Sequence, residues 1–357
     1  MGCDVAGVCG GCPWILRDPA EQRDAKRAHL RALAPKLKLG PLPMLACDGR
    51  RDRVDLSFRA EGGILGLGKI DDRDALVDVG PCPALSPALR AHVAEVQADP
   101  PPVPTASLRF RVAPDSSRGL WIDTANVLIK ELMDEGAWLR RRLSRGAVEL
   151  GQRRKDLVDS DRLRLQDPVL RPWFSTPGSE GDLPLYTVVG GFTQPSLAAN
   201  RALVGAVMAL VAQTGASRWL EIGAGCGNFT LPLAQSGARV LASETDPLGR
   251  AGLEHGARAL GLEVELIPRD LARPGAAWPE VDALLLDPPR SGLPRLHEVL
   301  AEQARMPEHI VYVSCAAESF VRDLDALIHL GYRLESLSGV DQFPDTPHCE
   351  WVGWLRR

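Results

Sequence analysis

The chain has 357 residues, 45% hydrophobic and 25% charged, with a net charge of −4. That length and balance suit two or three globular domains and exclude a disordered or fibrous chain. The opening "MGCDVAGVCGGCPW" lacks the basic and apolar regions of a secretory signal, and no apolar run approaches a membrane span, so a cytoplasmic protein without membrane contact is expected.

The negative charge argues against a nucleic-acid binder, but it is unevenly spread. Residues 1–180 hold 28 basic and 25 acidic side chains, and residues 181–357 hold 14 and 21. The clusters "RRDR" (50–53), "RFR" (109–111), "RRR" (140–142) and "RRK" (153–155) all lie in the first half. Each alone is an ordinary solvated face; together they make a phosphate-contacting first half plausible.

In chain order, residues 1–14 form a Cys- and Gly-rich head. Residues 18–37 have the pattern of a charged helix, and residues 50–82 of short strands with Gly turns. A helix follows over 86–97 and a Pro-rich break over 98–105. Strand-like segments lie at 107–112 and 119–124, and "VLIKELMDEGAWLRRRL" has the spacing of one amphipathic helix. "FSTPGSEGDLP" (174–184) is expected to be a bridging loop. Beyond it strands and helices alternate: "SRWLEIG", "RVLASE", "EVELIP", "DALLLD" and "HIVYVS" are strands separated by helical segments, and two more strands close the chain. That alternation predicts a doubly wound, Rossmann-like parallel α/β sheet.

Four motifs carry chemistry. "LEIGAGCGNFT" (220–230) is a strand running into a Gly-rich turn that opens a helix, and Glu244 lies at the end of the next strand, about 20 residues on. This suits a ligand with ribose hydroxyls, either NAD or S-adenosylmethionine. "LLLDPPRSG" puts Asp287 at the carboxyl end of a buried strand, where such sheets bind ligands. Arg290 stands where amino-methyltransferases carry an aromatic residue. "HIVYVSCAAESF" puts Cys315 at the same sheet edge, before a helix whose N-terminus is expected to lower the thiol pKa. A single cysteine is more often packing than catalyst, but packing explains little at that edge. In "DQFPDTPHCEWVGWL", Glu350 opens an apolar strand, as a solvated cap or as a general base. Cys3, Cys9 and Cys12 are spaced C-x5-C-x2-C, with Cys82 a distant fourth; spacing alone slightly favours zinc over an iron–sulfur cluster. Cys47 is left over.

"GGFTQP", "EIGAGCGNFT", "LLLDPPRSG", "VYVSCAAESFVRDL" and "FPDTPHCE" occur in the order and at the spacing of the RNA 5-methyluridine (uracil-C5) methyltransferase family, which the chain resembles over most of its length. The resemblance implies an S-adenosylmethionine-dependent enzyme with Cys315 as nucleophile and Glu350 as base. It further implies Gln194, Gly223, Asn228, Glu244 and Asp287 as cofactor contacts, and a [4Fe–4S] cluster on Cys3, Cys9, Cys12 and Cys82. Three departures stand out: Ser196 replaces an Asn, Ala316 and Ala317 replace Asn-Pro, and Gly223 lies near where an aromatic is usual. The layout matches shorter ribosomal-RNA members without an N-terminal β-barrel, so the expected substrate is a 23S rRNA loop and the expected state a monomer.

The corresponding division is an iron–sulfur region over 1–85, a central α+β RNA-binding region over 86–180, and a methyltransferase domain over 181–357. A transfer-RNA enzyme is the near alternative. A non-catalytic iron–sulfur RNA-binding protein would be expected to have lost Cys315 or Glu350. An NAD oxidoreductase would leave "DPPR", the Cys315 motif and the terminal Glu without roles.

Overall fold

A computed structural model describes residues 2–37 and 39–357. The chain forms two compact units that do not follow the expected division. One unit comprises residues 1–16, 50–174 and 186–197, and the other residues 17–49, 175–185 and 198–357. The regions expected at 1–85 and 86–180 therefore largely merge, and the segment 17–49 leaves them for the second unit.

That unit is built on an eight-stranded sheet. Its order is Met44–Ala46, Arg333–Asp341, Glu350–Arg356, His309–Ser314, Ala283–Leu286, Arg218–Ile222, Arg239–Ser243 and Val264–Ile267. The last five are parallel, and Glu350–Arg356 runs antiparallel to both its neighbours. Both faces are covered, so the central strands are apolar throughout, as doubly covered parallel sheets require. Leu220, Ile222, Leu284, Leu286, Ile310 and Tyr312 point to one side, against Phe320, Leu324 and Leu327 of the helix Ala317–His329. Trp219, Leu285, Val311 and Val313 point to the other, against Leu203, Val204, Val207 and Val211 of Leu197–Thr214. At 18 residues this helix has the length and composition of a membrane span, contrary to the sequence reading; in the fold it packs that face into the core.

The other unit holds a second eight-stranded sheet, ordered Leu76–Asp78, Ile64–Gly68, Arg53–Arg59, Thr105–Val112, Arg118–Asp123, Ala147–Leu150, Lys155–Asp159 and Leu163–Gln166. It is antiparallel except between Arg118–Asp123 and Ala147–Leu150. Its three last strands were not foreseen. The long amphipathic helix is two, Asn126–Glu135 and Ala137–Leu143, broken at Gly136 with φ +60°. The expected bridging loop is a two-stranded ribbon, Arg171–Pro177 with Asp182–Thr187, closed by a turn in which the Gly178 N–H donates to the Gly181 carbonyl at 2.8 Å.

The helix Pro19–Leu33 starts as its sequence dictates: Pro19 in the first turn and the Asp18 carboxylate accepting the Ala20 N–H. It holds the loop that leads to Glu350. Buried Lys26 donates to Asp341 Oδ1 at 2.6 Å and to the Phe343 carbonyl at 2.9 Å. Gln22 brackets Asp345, donating to its Oδ1 at 2.9 Å and accepting its N–H at 2.7 Å; Asp345 sits at φ +63°. Removing one partner of a buried pair strands the other charge. Lys26→Met is therefore expected to cost about 3–5 kcal/mol of stability, measured by urea unfolding. A loss below about 1 kcal/mol would show that the pair contributes no more than a surface ion pair.

Candidate active site

The parallel strands end at one edge, and register fixes what gathers there. Ile222 pairs with Leu286, and Leu286 with Tyr312, so Gly223 and Asp287 emerge side by side. Contact is close: a Cβ on Gly223 would lie 2.9 Å from the Asp287 carbonyl, and Gly223 has φ +86°. Only glycine meets both demands. Glu350–Arg356 runs the opposite way, so its first residue reaches the same edge. Ser314 pairs with Trp351, which sets Cys315 opposite Glu350 at the next position.

Burial dominates the electrostatics here. Glu350 is 3% exposed. Desolvation, then the Asp287 charge, pushes its pKa up to about 8, with Arg290 opposing. Burial alone takes Asp287 to about 7. The Cys315 thiol is pushed up to about 11 by burial, then by Glu350 and Asp287, against Arg290. The expected lowering of the thiol pKa by a helix N-terminus is therefore overturned: desolvation and two carboxylates outweigh it.

Several residues that the sequence did not single out support this edge. Gln342, 1% exposed, donates to Glu350 Oε1 at 3.3 Å. The "DPPRSG" loop is tied down by Ser319 Oγ donating to the Arg290 carbonyl at 2.9 Å and by Asp323 accepting the Leu293 N–H at 2.6 Å. Arg290, read from sequence only as an argument against amino-group chemistry, donates to the His348 ring at 2.9 Å. Glu221 is fully buried and pushed up to about 8 by burial, although the Thr230 hydroxyl donates to it at 2.6 Å. Its Oε1 has no hydrogen-bond partner among the described residues. The available signal was an acid inside the apolar strand "WLEIG".

Glu244 accepts the Gly225 N–H at 2.7 Å and the Asp246 N–H at 2.6 Å, which locks the Gly-rich turn to the next strand. Asn228 pairs amide to amide with buried Asn200, at 2.8 and 2.9 Å, so much of its side chain secures the turn. Gln194 belongs to the other unit, where it is buried.

In that unit Arg53 of "RRDR" and both arginines of "RFR" clamp the loop that carries Gln194. Arg109 donates to the Gly190 carbonyl and Arg111 to that of Gly191, while Arg53 donates to that of Thr193 at 3.0 Å. Glu149 accepts the Val189 and Gly190 N–H groups, and burial pushes its pKa up to about 7. Asp52 Oδ2 accepts the Leu197 N–H at 2.9 Å. In "RRR", Arg142 is buried against Glu95 and Asp99.

Cys3, Cys9, Cys12 and Cys82 line one cavity of the same unit, and none of them is in a disulfide. Gly10 and Gly11 allow their loop to lie on the strand Ile64–Gly68: a Cβ at either would meet Gly68 O or Leu67 Cδ1 at 2.8 Å. Among the described residues, no three His, Cys, Asp or Glu side chains are grouped so as to hold a metal ion.

Fold and edge together define an α/β methyltransferase. A family model described as tRNA (uracil-5-)-methyltransferase matches residues 182–248 and 278–357. An uncharacterized RNA methyltransferase of Bdellovibrio bacteriovorus is 36% identical over 99% of this chain and 95% of its own. The 23S rRNA (uracil(1939)-C(5))-methyltransferase RlmD of Thiobacillus denitrificans is 31% identical over 99% of this chain and 85% of its own. The solved Pyrococcus abyssi tRNA (uracil-54, C5)-methyltransferase, in complex with S-adenosyl-L-homocysteine, shares the fold, with TM-score 0.72 and 20% identity over 97% of this chain and 86% of that one. The chain belongs to the RNA (uracil-5-)-methyltransferase family and is a methyltransferase enzyme.

The raised carboxyls set a pH dependence. Glu149, Glu221, Asp287 and Glu350 have folded pKa values of about 7, 8, 7 and 8, above the roughly 4 of an unfolded chain. Between those limits the folded state binds more protons, so stability falls as pH rises through the window. The melting temperature of the ligand-free protein is expected to drop from about pH 5 to pH 8 and Glu221→Gln to flatten the drop. A melting temperature that rises across that range contradicts this assignment.

Proposed function

We propose that this enzyme methylates C5 of a uridine in 23S ribosomal RNA through a transient bond between Cys315 Sγ and C6 of the base. The observation that carries this reading is the register that sets Cys315 opposite Glu350 beside Asp287. The C5 of uracil is a weak nucleophile. Addition of the Cys315 thiolate at C6 moves the C5–C6 electron pair into an enolate over C5, C4 and O4, and C5 then takes the methyl group. Glu350 removes the C5 proton, the C5=C6 bond re-forms, and the C6–S bond breaks to return the thiolate. S-adenosylmethionine supplies the methyl on a positively charged sulfur, and that charge favours the thiolate.

Of the chain's own residues, Asp287 and the Gly223 turn are suited to face the donor, Glu244 its ribose, and Gln194 and Asn228 complete the set implied by the motifs. Gln342 orients the Glu350 carboxylate. The choice of ribosomal RNA rests on RlmD relatives that align with nearly the whole chain. The target uridine must be unpaired or extruded for Cys315 to reach C6.

For the four cysteines that line one cavity, the reading taken from the motifs is a [4Fe–4S] cluster that Cys3, Cys9, Cys12 and Cys82 would hold. A single zinc, with Zn–S of about 2.3 Å, would draw them tightly together, whereas a cubane accepts thiolates spread around a larger body.

Three outcomes test this reading. Cys315→Ala is expected to abolish methylation and leave S-adenosylmethionine binding intact; turnover by that variant overturns the covalent route. Glu350→Gln is expected to accumulate a protein–RNA adduct that survives denaturing gels; normal turnover with no adduct removes Glu350 as base. Mass mapping of 5-methyluridine in ribosomal and transfer RNA, with and without the gene, decides between the two substrates. For the cluster, anaerobically purified protein is expected to hold about four irons, lost in Cys12→Ala; stoichiometric zinc in their place overturns the assignment.

A further inference from the structure

We infer that the unit with the largely antiparallel sheet carries a phosphate-binding pocket for the RNA backbone, formed by Arg118, Arg145 and Arg171. This rests on the reading of the chain as an RNA enzyme and adds where the polyanion is gripped. A chain with a net charge of −4 repels RNA unless its cations are concentrated. Four arginines of the basic runs visible in the sequence are committed inside the protein: Arg53, Arg109 and Arg111 hold the Gln194 loop, and Arg142 is buried in ion pairs.

The three arginines converge from separate segments on one solvent-open cavity of about 370 Å³. Arg118 opens the strand Arg118–Asp123, Arg145 lies in the turn after the helix Ala137–Leu143, and Arg171 starts the ribbon. Close approach is built in, because Gly146 leaves no room for a Cβ, which would fall 2.2 Å from the Arg118 carbonyl. The side chains remain 32%, 58% and 43% exposed, so their outer N–H groups reach solvent.

Their neutralisation is incomplete. One carboxylate, Glu95, serves Arg118 at 2.9 Å, Arg145 at 3.1 Å and Arg142 at 3.3 Å. The partner of Arg171, Asp156, is 3.7 Å away and also accepts the Val169 N–H. The pocket's own lining carboxylate, Asp115, is turned into its loop by the Ser117 N–H at 2.9 Å, and Ser116 stands beside it at φ +70°. Forked guanidiniums with spare donors around a hollow match phosphate oxygens.

The test uses the full-length protein and an in-vitro 23S rRNA transcript that the wild type methylates. Arg145→Ala, Arg171→Ala and the double variant are compared with Arg162→Ala, an exposed arginine outside the pocket. Each pocket variant is expected to raise the KM for RNA several-fold, with kcat and S-adenosylmethionine affinity unchanged. The slope of log affinity against log salt is expected to become shallower by about 1 per arginine removed, with Arg162→Ala at wild-type values. Melting temperatures within a degree or two of wild type exclude an effect through folding. Unchanged KM and salt slope in the double variant overturn the pocket while leaving the methyltransferase reading intact; a wild type that neither binds nor methylates RNA overturns both.

Discussion

The antiparallel pairing of His309–Ser314 with Glu350–Arg356 is the constraint on which the active site depends. Side chains alternate along a strand, so a slip of one residue would turn Glu350 away from the face it shares with Cys315. Nothing local to either residue prevents that slip. The register is held by the strands' buried side chains, Val311 and Val313 on one face and Ile310 and Tyr312 on the other, packed against Val352 and Leu355. The proposed catalytic pair is thus positioned by hydrophobic packing along six residue pairs of sheet.

The same packing produces the electrostatics. Asp287, Glu350 and Cys315 are each held above their ordinary pKa, and burial is the leading cause for all three. Without ligands the edge favours neutral groups. Arg290 is a cation of this edge that opposes the shift in both Cys315 and Glu350.

Much of this was legible in sequence because the edge is built from local motifs. A strand ending in a Gly turn, an acid before two prolines, and a cysteine after "VYVS" each announce their place by periodicity. What escaped was non-local. Lys26 and Gln22 look like ordinary residues of a charged helix, and only the fold carries them more than 300 residues along the chain to Asp341 and Asp345. Glu221 was hidden inside an apolar run, where a single polar residue does not disturb the pattern, and Gln342 follows Asp341 in a polar stretch that does not mark it out. The strands after residue 146 are short and charged, with too few alternations to stand out. Gly136 broke a continuous helical pattern because its left-handed conformation suits a C-cap.

The arginines show why composition misleads most where charge is concerned. Sequence counts guanidiniums; the fold decides how many retain donors for an outside ligand. Arg109 and Arg111 sit two residues apart on one strand, a spacing that puts both on one face of the sheet. Both donate to backbone carbonyls of the loop before Gln194, and Glu149 accepts that loop's N–H groups. A Gly-Gly turn has no side chains to anchor it, so charged groups from neighbouring strands bind its bare peptide groups instead. The "RFR" motif is thus a counterpart of "GGFTQP", one supplying donors and the other acceptors. Arg118, Arg145 and Arg171 are scattered in sequence, share too few carboxylates, and keep exposed donors that Arg109 and Arg111 have turned inward.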